Sequence, residues 1–122
     1  MFDRLYEKIG GREVINDLVR VFYAKVQVDP RLSKFFAQTD MEKLRAQQVM
    51  FITMLLGGSR TFTGNDLTKA HAGARGQGMA DTEFDALIEH FQQALVEVGV
   101  AGPFIVEILA RLEKTRDAVL GR

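Results

Sequence analysis

Apolar residues recur every three or four positions along almost the whole chain, and most of these runs stop at glycine or proline. That is the helical period. No stretch alternates apolar and polar residues long enough to make a strand, so the pattern predicts an all-α fold. A short helix over 2–9 is expected to end at Gly10-Gly11, because glycine just past a periodic run is the usual C-terminal signal. From about 14 to 28, Ile15, Leu18, Val19, Phe22 and Val26 share one face, and Tyr23 joins it, four residues after Val19. Residues 32–36 have room for a turn or two. The next long helix, 41–56, has Asp40 as its N-cap, carries Leu44, Phe51, Ile52 and Leu55, and ends at Gly57-Gly58. Residues 59–66 read as a polar loop, and 66–72 as a short helix at best. A helix starting at 81–82, with Thr82 and Asp85 near capping-box spacing, presents Phe84, Leu87, Ile88, Phe91, Leu95 and Val98 and stops at Gly99. Gly102-Pro103 opens the last helix, whose face is Phe104, Ile108, Leu112 and Val119, with Ile105 and Leu109 alongside.

At 122 residues the chain is expected to be one domain, 1–122. Sixteen Lys and Arg balance sixteen Asp and Glu, so no global pull on nucleic acid or anionic membrane is implied. The absence of cysteine excludes disulfides, thiolate catalysis, Cys-ligated zinc and iron–sulfur clusters. The first residues carry no apolar signal-peptide core, and the longest apolar stretch, 50–56, is too short to span a bilayer. A cytoplasmic location follows as the expectation.

Several residues sit oddly in a plain core. Gln48 falls in the middle of the apolar stripe of the 41–56 helix, and Gln47 flanks it. Tyr23 puts a phenol on the buried stripe of another helix. Buried amides and hydroxyls need partners, or cost about 1–3 kcal/mol each. Either these groups bond one another and specify packing, or they line a cavity and bond a ligand. His71, four after Leu67, and His90 are the only histidines. His71 by itself reads as a satisfied structural residue, and His90 as a surface or boundary residue. Gly73, Gly76 and Gly78 do not make a dinucleotide fingerprint, because no strand precedes them. Glu107 and Glu113 read as a solvated face, and Met50 and Met54 as core filler.

The segments LYEKIGG at 5–11, FYAKVQVDPRLSKFF at 22–36, DMEKLRAQQVMFITMLLGG at 40–58, TGNDLTKAHAG at 63–73 and FDALIEHFQQALVEVGV at 84–100 together resemble the group I truncated hemoglobins, in order and with the right spacing. The resemblance implies a two-over-two helical sandwich enclosing one noncovalent heme b. It makes His71 the proximal iron ligand, and places Tyr23, Leu44, Gln47 and Gln48 in the distal pocket. Phe36 matches the phenylalanine at the heme edge, and Phe51 and Phe62 match further walls. Lys43 and Lys69, with Arg60 and Arg75, become candidates for the heme propionates. Many relatives carry Gln where this chain has Leu44, and some cyanobacterial ones carry His where it has Gln47. That distal His can close on the iron; here it cannot. No histidine follows His90, so the covalent heme link of a few cyanobacterial members is not available.

Three functions follow as expectations. The first is a monomeric protein binding oxygen, nitric oxide or carbon monoxide at a five-coordinate iron. Bound oxygen draws negative charge, and a phenol and amides would donate hydrogen bonds to it. The second, also permitted by the resemblance, is a nitric oxide dioxygenase, which needs an external reductase. The third is a cofactor-free helical interaction module whose Tyr and Gln residues bond one another.

Overall fold

The computed structural model describes residues 5–57 and 78–122. Over these the chain forms α1 (Leu5–Lys8), α2 (Gly11–Val28), a 3-10 helix (Ser33–Phe36), α3 (Met41–Leu55), α4 (Asp81–Glu97), α5 (Gly102–Glu113) and α6 (Arg116–Leu120). No strand occurs among the described residues. No helix among them is long and apolar enough to cross a membrane. His71, Phe62, Lys69, Arg60, Arg75 and the expected 66–72 helix lie outside the described residues.

α2 is the centre of the frame. It packs on both α3 and α4, and α4 packs on α5. The expected stripe of α2 is its buried face: Ile15, Leu18, Val19, Phe22, Tyr23 and Val26 are all buried. Phe84, Phe91 and Leu95 bury the facing side of α4, and Ile105, Ile108 and Leu112 that of α5. α1 is tied to the end of α3 by the Tyr6 N–H, which donates to the Leu56 carbonyl at 3.1 Å. α5 reaches the same end through Arg111, whose Nη1 donates to the Leu55 carbonyl at 2.9 Å. There it meets the negative end of the α3 dipole, where a cation is favoured.

Four sequence expectations are corrected. α2 begins at Gly11, not near Val14, because the turn out of α1 takes only Ile9 and Gly10, with Gly10 at φ 118°. A Cβ at Gly10 would lie 2.4 Å from Val14 Cγ2, so only glycine fits there. The last apolar run is two helices. It breaks at Lys114–Thr115, where the Thr115 hydroxyl donates to the Leu112 carbonyl at 2.6 Å and Arg116 turns toward α4. α4 is opened by the Ala80 N–H donating to Glu83 Oε1 at 3.0 Å, not by Thr82 and Asp85. Asp85 instead pairs with Arg116. Met50 is 56% exposed and no core filler. Residues 49–52 are all apolar, and a helix can turn only one side of such a run inward.

Asp40 does cap α3, accepting from the Lys43 N–H at 3.2 Å. The scattered basic residues converge at one place. Arg116 binds Asp81, Asp85 and Glu113 and lies over the Phe84 ring at 4.6 Å, while Arg122 binds Asp81 and Asp117. This network joins α6 to the first turn of α4.

Candidate functional site

Tyr23 lies on the fourth turn of α2 and is 4% exposed. Its ring meets Phe22 edge-on at 4.9 Å and Phe36 edge-on at 5.9 Å. The two adjacent phenylalanines of the 3-10 helix divide their work: Phe35 is buried in the core, and Phe36 is half-buried against Tyr23. Burial pushes the Tyr23 phenol well above its ordinary pKa, so it stays an O–H donor. Among the described residues no group hydrogen-bonds to that hydroxyl, and none joins Tyr23 to Gln47 or Gln48.

α3 supplies the adjoining wall. Leu44, Gln48, Phe51 and Leu55 recur at helical spacing and are half-buried, whereas Ile52 is fully buried. Leu44, Phe51 and Leu55 pack against the core yet keep part of their surface uncovered, so α3 has an apolar edge, interrupted by one amide, that is only half covered. Gln47 and Lys43 are exposed. The structure therefore brings Tyr23 and Phe36 into ring contact and sets Leu44, Gln48 and Phe51 on one edge of α3. It leaves Gln47 and Lys43 at the surface.

The model of the bacterial-like globin family matches residues 4–121. The group 1 truncated hemoglobin of Tetrahymena pyriformis is 40% identical over 118 residues, which are 97% of this chain and 95% of that protein. This chain belongs to the group 1 truncated hemoglobins. Its described helices are those of a two-over-two globin. The crystal structure of the 2/2 hemoglobin of Synechococcus sp., in the cyanomet state with covalently attached heme, superposes with a TM-score of 0.90 at 35% identity, covering 98% of this chain and 99% of that one. The Fe(III) truncated hemoglobin of Tetrahymena pyriformis gives 0.85 at 40% identity, covering 97% and 98%.

This truncated hemoglobin holds a second cluster that the sequence reading missed. Asp29, at the C-cap of α2, is the one buried charged residue among those described. Its carboxylate accepts from the Arg31 N–H at 2.8 Å, from Arg31 Nε at 3.1 Å and from Arg31 Nη2 at 2.6 Å. His90 Nε2 reaches the same carboxylate at 2.6 Å. A carboxylate only accepts, so Nε2 is the donor. His90 Nδ1 is buried and has no partner among the described residues. His90 is a boundary residue, as its sequence position suggests, but it is anchored. Asp29-Pro30 reads as a helix stop, and nothing local reveals a partner 61 positions away.

The Arg31 and His90 hydrogen bonds hold the Asp29 carboxyl well below the usual carboxylate range. A lowered folded pKa means that ionisation favours folding. This contribution is fully present above about pH 4, the unfolded value, and is lost as pH falls through the folded value. Asp29→Asn should therefore be less stable than the parent near neutrality. The gap should narrow on going from pH 5 to pH 2 in denaturant titrations. Parallel stability curves would show that the carboxylate charge contributes nothing.

Proposed function

We propose that this truncated hemoglobin binds one noncovalent heme b and holds a diatomic gas, oxygen in the first place, against Tyr23. The observation that carries this is Tyr23: a phenol on a buried ring, with no hydrogen bond to its hydroxyl among the described residues, on a helix that packs against α3 and its half-covered apolar edge. A hydroxyl that no protein group engages is free to donate to a polarised ligand. The residues fit a flat aromatic group: Phe36, Leu44, Phe51 and Leu55 offer apolar contact, and all are half-buried.

Protoheme, when bound, supplies an iron with an open position where a diatomic gas takes on partial negative charge. The chain supplies the rest. His71 is the imidazole for the proximal side, because the only other histidine, His90, is committed to Asp29. Tyr23 donates toward the ligand from α2. Gln48 approaches from α3, with Gln47 at the mouth and Leu44 closing the wall without a ligating atom. The anchoring of His90, with no histidine after it, supports noncovalent attachment, unlike the heme of the Synechococcus protein.

The test is the absorption spectrum of the purified protein. We expect a heme spectrum that is mainly five-coordinate and high-spin in the unliganded ferrous state near neutral pH. A dominant six-coordinate low-spin ferrous spectrum would mean that a side chain of this pocket closes on the iron. A colourless protein that takes up no added protoheme would end the reading.

A further inference from the structure

We infer that the Asp29–Arg31–His90 cluster positions Tyr23, by fixing the turn that carries Phe36 onto its ring. The functional weight of this rests on the reading that Tyr23 faces the ligand.

Two consecutive residues of α4 reach Tyr23 by two routes. Phe91 meets Phe22 edge-on at 5.3 Å, and Phe22 meets Tyr23 at 4.9 Å. His90 takes the other route, through Asp29. The Asp29 N–H donates to the Val26 carbonyl at 3.2 Å and ends α2, while its carbonyl accepts from the Leu32 and Ser33 N–H groups at 3.0 and 2.9 Å. The 3-10 helix starts at that point and ends on Phe36, whose ring abuts Tyr23 at 5.9 Å and 73°. One residue thus sets the end of α2 and the start of the segment that closes over Tyr23. Its side chain is fixed by Arg31 from within the turn and by His90 from across the fold. Glu89 adds a looser hold on Arg31 at 3.7 Å.

A simple staple between α2 and α4 would not need this chemistry. Apolar contacts and the Lys25–Glu97 pair already join the two helices. Burying a carboxylate is costly unless its acceptors are filled, and replacing a buried charge cluster by apolar packing is often neutral or stabilising. What a filled carboxylate adds is direction: each bond weakens steeply as its angle opens, so the turn has one position, not a range.

The experiment uses the heme-loaded protein. His90→Phe keeps a ring and removes the donor; His90→Gln keeps an N–H near the position of Nε2. Three quantities are read: oxygen and carbon monoxide dissociation rates, ring-to-ring NMR cross-peaks between Tyr23 and Phe36 in the carbon monoxide-saturated protein, and the thermal midpoint. In His90→Phe the cross-peaks should weaken and oxygen should leave roughly threefold faster, a fraction of one hydrogen bond's effect, with carbon monoxide nearly unchanged. His90→Gln should restore both. A lowered midpoint with intact cross-peaks and an unchanged oxygen rate would make the cluster a staple only and overturn the inference. Should His90→Phe fail to fold, Arg31→Met, at a half-exposed side chain, replaces it. A smaller change of the same sign is then expected, and no change overturns. If Tyr23→Phe itself leaves the oxygen rate unmoved, the ligand-facing reading fails, and the cross-peaks still decide whether the cluster positions the ring.

Discussion

His71→Gly should weaken heme retention by about a hundredfold or more, since even supporting residues behind a metal ligand are worth 10–100-fold. The expectation is strong because the chain has no substitute. His90 spends Nε2 on a buried carboxylate, its Nδ1 is enclosed, and no other histidine exists. Tyr23 is a poor replacement, because its phenol resists ionisation where it lies. Added imidazole should restore part of the ferrous spectrum by entering the space that the side chain left. An unchanged ferrous spectrum in His71→Gly would remove it from the iron. The control should be Val106→Ala, at an α5 residue that is 71% exposed. A change at His90 would not serve, since it disturbs Asp29.

Tyr23→Phe carries the second large effect. It deletes a single oxygen atom from a ring held by Phe22 and Phe36, so the wall stays in place. Oxygen should leave about tenfold faster, the equivalent of about 1.4 kcal/mol, which lies within reach of one hydrogen bond to a charged acceptor. Carbon monoxide takes on less charge and should leave at nearly the parent rate. Gln48→Leu should act in the same sense and more weakly. Stability gives an independent check. With no protein partner among the described residues, losing the hydroxyl should leave the folded state as stable as the parent or slightly more so. Equal acceleration of both gases would make Tyr23 a steric wall. A clear loss of stability with neither rate moved would mean that Tyr23 and its polar neighbours bond one another.

Much of the frame is written locally. The α2 stripe reads directly because one helix face is buried along its whole length, and Asp40 reads as a cap because the bond it makes is three residues long. Tyr23 stood out for the same reason, as a phenol on a face that is otherwise apolar. What local pattern could not settle was any choice made by a distant partner. Phe35 and Phe36 are equivalent in sequence, and only the turn at Asp29 decides which enters the core. The last apolar run looks continuous, but Arg116 leaves it for carboxylates 31 and 35 positions earlier. Met50 looked like core because composition alone cannot say which side of an apolar helix faces out.

The unequal burial of α2 and α3 has a consequence for how a guest enters. α2 sinks six side chains into the frame; α3, fifteen residues long, sinks only Ile52. Local opening is easiest where few apolar contacts must be broken. Of the long described helices, α3 is therefore the one expected to part first, with the α2–α4 pair holding. For the proposed heme, parting α3 from its hold at Leu55 and Leu56 would be the route that leaves the buried core shut. Among the long described helices, α3 would then have the most order to gain when the ring is seated. The affinity measured for the guest would then include the work of ordering this one helix.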